Sequence, residues 1–595
     1  MGTTMTSRWQ LRPHDPAQIG SLSQRAGVTP LVAQLLLNRG IDDPTLARSF
    51  LDARLGGLHD PECLPGAPEA AERIVNAIRA GRKIVIYGDY DVDGVCGTSI
   101  LWSCLRLAGV AEDRVSYYIP HRVEEGYGVS GDALRRIKDE QGAELVVTVD
   151  CGISAVAEAR LARELGLELI VTDHHTIGTT LPEADVVVHP RLEGSRYPCP
   201  DLCGAGVAFK VAWQVCKSFG DGKKASPHLR DFLVQSISLV ALATVADIVP
   251  LGDENRILVR HGLKGMFDRP TEGQKALLKV CGCLDKKRLT AGMVGFGLAP
   301  RINAAGRLER AMMAVEMLTT DDPALASKIA DELNRCNTKR QEVEKTMVAE
   351  AQAMIRGQGG LGDRCAIVLG RAGWHPGVVG IVASRLVDIY HRPTIIVALG
   401  EGVSQGSARS IAGFDVHHAI GECSAGLIAF GGHKAAAGLK LEAAAFESFA
   451  AEFDRYCRSV LTAEQLHKVL SIDAEVPLGM LTLRVVEEIE ALEPHGIGNP
   501  RPLLVASRVR VVGEPRGVGE HKNHLQFRVA QGGAAVKAIG WGLAERGKAL
   551  AAGVVCSLAF TPTINEWQNR REVQLEVKDF KLDEASEDAQ SPTPS

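Results

Sequence analysis

Residues 84–94 read IVIYGDYDVDG: a short branched apolar run, then Asp89, Asp91 and Asp93 at alternate positions between two glycines. An apolar run of this length, bounded by turn-forming residues, predicts a buried strand. The pattern returns in ELVVTVDCG (residues 144–152), LELIVTDHH (167–175) and ADVVVHP (184–190). Helical patterns lie before or between these runs: AAERIVNAIRAG, GTSILWSCLRLAG, GDALRRIKDEQG and AVAEARLARELG. Such alternation predicts a parallel, doubly wound α/β sheet. Ligands of these sheets sit outside the carboxyl ends of the strands. Each strand named here ends in an acid, a histidine or both.

At 595 residues the chain is too long for one hydrophobic core, so several domains are expected. Hydrophobic residues make up 45% and charged residues 23%, ordinary values for a water-soluble chain. The net charge of −5 excludes a globally basic protein, so any nucleic-acid surface must be local. Fourteen cysteines form no CxxC pair, Cys281 and Cys283 being the closest; this speaks for a reducing compartment, not zinc or disulfides. The first residues lack the apolar core of a signal peptide. No uncharged run reaches the roughly 18–20 residues that span a bilayer, and ISLVALATVADIVPL is interrupted by Asp247. The expectation is a cytoplasmic protein with no membrane association.

Outward from the first sheet, residues 1–69 read as a helical N-terminal segment and 70–322 as the first α/β domain. Residues 323–356 contain no internal Gly or Pro and predict a rigid connecting helix. A second α/β domain spans 357–461, opening at CAIVLG and continuing through HRPTIIVALG. From 462 to 581 the pattern becomes short strands and turns, which fits a five-stranded barrel of OB type with its linker. Residues 501–581 hold thirteen Lys or Arg against seven Asp or Glu, a balance of +6 in a negative chain. The tail 582–595 is polar and acidic, which predicts disorder.

Asp91 and Asp93 leave the first strand, Asp150 closes the next, and Asp173, His174 and His175 close the third. Asp247 interrupts an apolar stretch, where a charge is costly unless paired or bound to metal. Like charges gathered at strand ends repel, and divalent cations neutralise them. Carboxylates mixed with imidazole suit manganese, with magnesium or zinc as alternatives. Two such ions about 3.5–4 Å apart can activate a water and stabilise a phosphoryl leaving group. Taken singly, an aspartate after a strand is more often a helix cap; the whole set at successive strand ends is not explained that way. Cys151 beside Asp150 has no evident base and reads as a small buried residue.

The motifs GDYDVDG, VTVDCG, DHH and ATVADIVPL together resemble the DHH phosphoesterase superfamily. PRINAAGRL, GSARS, FGGHKAAAGL and GIGNPRP are similar to its RecJ branch, whose members are single-strand-specific 5′→3′ DNA exonucleases. The resemblance implies two α/β domains (DHH and DHH-associated) joined by a long helix, plus a C-terminal OB-type β-barrel. It implies two divalent ions, Mn²⁺ or Mg²⁺, on Asp91, Asp93, Asp150, His174 and Asp247, with Asp150 as bridge and Asp89 as a further ligand. His175 falls on a position that contacts the reacting phosphate. Tyr87 stands where the pyrophosphatase branch has a metal-binding histidine, so one site is expected to be weaker or completed by Asp89 and water.

The same resemblance makes single-stranded DNA the substrate, contacted by Arg122, Tyr127 (a base-stacking ring), Arg301, Asn303 and Arg307. Ser407 and Arg409 resemble residues that hold a terminal 5′-phosphate, and Gly431, Gly432 and His433 lie in the family's glycine motif. No role is read for His375, while His521 and His524 read as surface residues. Phe527, Trp541 and Trp567 are barrel aromatics open to either a core or a stacking role. The branch serves DNA repair and recombination, and a monomer working beside a helicase and a single-strand-binding protein is implied. Two alternatives stay open: a DHH phosphodiesterase or phosphatase acting on short oligonucleotides, and a silent scaffold. The first lacks the basic barrel and N-terminal segment; the second loses metal ligands, all of which stand here.

Overall fold

Five parallel strands form the first sheet in the spatial order Val115–Tyr118, Ile84–Gly88, Leu145–Val149, Glu168–Thr172, Val186–Val188. Ile84–Gly88 and Leu145–Val149 are buried at every residue, as a sheet covered by helices on both faces requires. The chain order 2-1-3-4-5 reverses direction between those two strands, and the carboxyl ends at such a switch point are where ligands of these sheets bind. The acidic turn 89–93 and Asp150 follow these strands directly.

The computed structural model describes the backbone of residues 7–121, 125–308, 311–567 and 570–583, and their side chains except at 307, 308 and 567. Arg122, the side chains of Arg307 and Trp567, and the tail from residue 584 therefore lie outside the described residues. Two compact units are present, Leu55–His467 and the pair Met1–Arg54 with Lys468–Ser595.

In the larger unit, the helix Pro323–Gly357 is started by Asp322, whose side chain accepts from the Ala324 N–H, with proline in the first turn. Ala326, Ile329 and Leu333 belong to the core of the first α/β domain, whereas Met347, Ala351 and Ile355 belong to that of the second. The second domain holds a mixed sheet ordered Leu427–His433, Ala436–Glu442, Val403–Arg409, Thr394–Leu399, Ile367–Ala372. Only its last two strands are parallel. The helix Pro227–Ala246 is long and apolar enough to cross a membrane by length and composition, yet 61% of its apolar window is buried within the fold. Asp247 is its C-cap.

The smaller unit contains a closed five-stranded barrel: Leu504–Val518, His524–Gln531, Ala534–Gly540, Val555–Trp567 and Arg570–Leu582. Antiparallel neighbours run along the sheet, Ala534–Gly540 pairs in parallel with Arg570–Leu582, and Leu504–Val518 closes onto Val555–Trp567. The expected N-terminal segment 1–69 divides between the units. Helices Pro16–Ala26 and Pro30–Leu37 are too short to stand alone. Their Leu22, Leu31, Leu35 and Leu36 share one core with Leu504, Phe527 and Phe560 of the barrel. Residues from Leu55 onward join the larger unit.

Candidate metal centre and nucleic-acid contacts

Asp91 caps the helix Val92–Leu107, accepting from the Asp93 and Gly94 N–H groups at 2.8 and 3.2 Å. The turn is tight: a Cβ on Gly94 would stand 2.4 Å from the Asp89 carbonyl oxygen. Asp93 is buried but not isolated, because the N-terminus of the helix Gly204–Ser218 points at it. The Gly204 and Ala205 N–H groups donate to its two carboxylate oxygens at 2.6 and 2.7 Å. Asn303 braces the same turn by accepting from the Val92 N–H at 3.1 Å.

Asp89, Asp93 and Asp150 are only 2, 1 and 2% exposed. Asp150 adopts φ +62°, and the residue after Asp247, Ile248, adopts φ +60°. A β-branched residue there is an outlier, and such strain gathers at functional sites. His174 Nε2 faces three carboxylates: Asp150 Oδ1 at 3.1 Å, Asp93 Oδ2 at 3.5 Å and Asp247 Oδ2 at 3.6 Å. Among the described residues, neither His174 Nε2 nor Asp150 Oδ1 has a hydrogen-bond partner. Three overlapping groups have candidate ligand atoms within 4.8 Å of one another: Asp89–Asp91–Asp150, Asp93–His174–Asp247 and Asp150–His174–His175. Asp150 and His174 each belong to two of them. Buried ligand atoms of oxygen and nitrogen type that make no hydrogen bond fit a hard or borderline divalent cation.

The electrostatics agree. Burial, then the charges of Asp93, Asp91 and Asp89, push the Asp150 carboxyl well above the usual range. Burial, then Asp93 and Asp91, push Asp247 up to about 8. Asp173 behaves oppositely: burial favours its neutral form, but His175 and backbone N–H groups prevail and hold it at about 2. It accepts from the N–H groups of Ile153, His174 and His175 and lies 2.8 Å from His175 Nδ1. Burial opposes a charge on His175, yet this pairing raises it to about 9.

The structure brings Asp89, Asp91, Asp93, Asp150, His174, His175 and Asp247 to one place. The exposed Tyr127 joins them, its hydroxyl 3.1 Å from His175 Nδ1 and 3.3 Å from the Asp150 carbonyl oxygen. Tyr87 does not; it is fully buried and its hydroxyl donates to the Gly128 carbonyl at 3.0 Å. Burial pushes the Cys151 thiol up, so it stays protonated. Arg301 commits its guanidinium to Asn334, Gly297 and Val280.

In the second domain, Arg409 Nη1 donates to Ser407 Oγ at 2.8 Å. Both line a cleft of about 440 Å³ with Gly377, Gly380, Gly431 and Lys440. Gly380 leaves room for this pair: a Cβ there would stand 2.9 Å from both Ser407 Oγ and Arg409 Nη2 and would displace them. Gly432, at φ +141°, has Ala436 O only 2.4 Å from where a Cβ would be, and the exposed His433 follows it. On the barrel, Phe527 is core and Trp541 is 55% exposed, its ring 4.9 Å from that of His524.

Sequence reasoning did not assign roles to Asp173, Gly204, Ala205 or His189. Asp173 carried a signal as the first residue of DHH. His189, whose Nε2 lies 2.8 Å from the His175 carbonyl oxygen, ends a strand and could have been found the same way. Gly204 and Ala205 carried none, because their partner lies 111 residues away in sequence.

A parallel α/β domain with acids and a histidine pair at its strand ends is the DHH design. Residues 83–244 match the DHH family, N-terminal domain, and 363–459 match the DHHA1 domain. Residues 472–579 match the RecJ OB domain. Over 97% of its length the chain is 38% identical to the single-stranded-DNA-specific exonuclease RecJ of Bacillus subtilis (strain 168), covering 71% of that relative. Identity to the RecJ of Salmonella typhimurium is 34%, covering 97% of this chain and 100% of that one. The crystal structure of RecJ in complex with Mn²⁺ from Thermus thermophilus superposes with a TM-score of 0.81 at 32% identity, over 97% of this chain and 80% of the other. The chain belongs to the RecJ family.

Proposed function

We propose that this chain is a metal-dependent exonuclease that hydrolyses single-stranded DNA in the 5′→3′ direction, in DNA repair and recombination. The observation that carries the chemistry is the pair of buried atoms Asp150 Oδ1 and His174 Nε2, 3.1 Å apart yet without a hydrogen bond among the described residues, amid further carboxylates at the switch point of the sheet. Asp89, Asp91, Asp93, Asp150, His174 and Asp247 would hold two ions, Mn²⁺ or Mg²⁺. Bound there, the ions lower the pKa of a water and offset charge building on the phosphodiester. His175, held charged by Asp173, donates to a phosphate oxygen, a charge-assisted bond. The exposed Tyr127 ring supports a base, and Ser407 with Arg409 holds the terminal phosphate that sets direction. The family motifs make Arg122, Arg307, Gly432 and His433 strand contacts; Arg301 and Asn303 act by bracing a helix and the acidic turn.

The +6 barrel, with Trp541 exposed, favours a polymer over a dinucleotide. The reading extends to a monomeric cytoplasmic enzyme supplied with strands by a helicase and a single-strand-binding protein. The test is nucleotide release from 5′-labelled single strands, duplexes and dinucleotides with Mn²⁺ or Mg²⁺. Fast release from single strands alone is expected. Equal or faster cleavage of dinucleotides would support a short-oligonucleotide phosphodiesterase instead.

A further inference from the structure

Tyr127 sits between two glycines in left-handed conformation, Gly126 at φ +85° and Gly128 at φ +88°. Among the described residues, neither glycine has an atom within 4 Å of where a Cβ would be, while the Tyr127 ring meets those of Tyr90 and His175 edge-on at 6.5 and 5.5 Å. The flanks of the turn are anchored. On one side, the Glu125 carboxylate accepts from the Tyr118 hydroxyl, from Arg136 Nη2 at 2.6 Å and from the His121 N–H at 2.9 Å. On the other, the Gly128 carbonyl accepts from the Tyr87 hydroxyl. The two anchors form one support, because Tyr87 and Tyr118 are register partners on adjacent parallel strands with rings 5.3 Å apart. Arg136, from the helix Gly131–Gln141, lies over the Tyr118 ring at 5.5 Å. Tyr127 is thereby presented as a residue 54% exposed, with its hydroxyl at His175 and the Asp150 carbonyl.

We infer that Tyr87 and Glu125 are positioning residues that hold the Gly126–Tyr127–Gly128 turn, and so the Tyr127 ring, beside the carboxylate cluster for contact with a single-stranded substrate. This rests on the proposed role of Tyr127 as a base platform. Tyr87 acts by its hydroxyl on a loop carbonyl and not on a cation, although it occupies a strand position two residues before Asp89.

The test uses the full chain with Tyr87→Phe, which keeps the buried ring, and Glu125→Gln, which keeps the shape. Each should raise KM for a single-stranded oligonucleotide about three- to tenfold, the value of one lost hydrogen bond, with kcat within twofold. Introduced into Tyr127→Ala, neither should raise KM further, since both act through that ring. Mn²⁺ affinity, by calorimetry, should be unchanged. Unchanged KM in both variants, full additivity with Tyr127→Ala, or weakened Mn²⁺ binding in Tyr87→Phe would each overturn the inference. No nucleotide release by the parent chain would sink the exonuclease reading instead, and the coupling would then be read from oligonucleotide binding by anisotropy.

Discussion

Gly204 lies so close to Asp150 that a Cβ on it would stand 2.6 Å from Asp150 Cβ and 2.7 Å from Oδ1. Its N–H also donates to Asp93 Oδ2 at 2.6 Å. One residue at a helix N-terminus thus sets the places of two carboxylates that follow different strands. Gly204→Ala should therefore cut hydrolysis at least about tenfold and weaken Mn²⁺ binding. In a roomy first turn the same change would favour the helix, by up to about 1 kcal/mol. A raised Tm with full activity would show that Asp150 does not need this gap.

The carboxylate cluster predicts an unusual pH dependence for the metal-free protein. Asp247 at about 8, and Asp150 well above the usual range, have folded pKa values above their unfolded ones. Such groups stabilise the fold fully below about pH 4 and lose that contribution as pH rises through about 8. Metal-free Tm should thus fall across this window, and Asp150→Asn should flatten the fall and raise Tm at pH 7. Mn²⁺ needs ionised carboxylates, so its uptake should release protons at pH 7 and tighten towards pH 8. Calorimetry in two buffers of different ionisation enthalpy reads that release. Asp150→Asn should lose it, along with at least about a hundredfold in hydrolysis; no proton release by the parent chain would contradict the assignment.

Direction of digestion is expected to depend on Arg409, which holds Ser407 Oγ at 2.8 Å in the second domain's cleft. A terminal phosphate carries more charge than an internal diester and suits an arginine fork. Arg409→Ala should slow digestion of 5′-phosphorylated strands roughly ten- to a hundredfold and affect 5′-hydroxyl strands little. Equal losses on both substrates would mean that Arg409 merely braces its strand.

Two barrel aromatics should behave differently. Trp541→Ala should weaken single-strand binding by about 1–3 kcal/mol with Tm nearly unchanged. Phe527→Ala, in the core, should cost about 3–5 kcal/mol of stability. Binding isotherms and denaturant melts separate the two, and an unchanged affinity for Trp541→Ala would remove it from the DNA surface. Point substitutions are required because deleting the barrel would uncover Leu31, Leu35 and Leu36.

Much of this was legible in the sequence because it is local. Apolar runs that end in acids gave the strands, their order of residues gave the strand-end cluster, and a stretch from 323 without internal Gly or Pro gave the long helix. The alternation in HLQFRVA puts Leu525, Phe527 and Val529 on one face, but the sequence left Phe527 open between core and stacking, and only the structure shows that face buried. Trp541 follows the end of its strand at Gly540, so no alternation spoke for it.

The sequence by itself determined the sheet, the barrel and the identity of the acids, since side-chain periodicity and strand-end chemistry are written within a few residues. Only the tertiary structure decided which candidate ligand atoms come within 4.8 Å of one another, that Gly204 and Ala205 hold Asp93, that the Tyr87 hydroxyl donates to a loop carbonyl, and that the N-terminal helices complete the barrel's core. Those outcomes depend on strand register and on contacts between residues tens to hundreds of positions apart. Register and packing set them by which faces can be buried together, and no short stretch of chain encodes that.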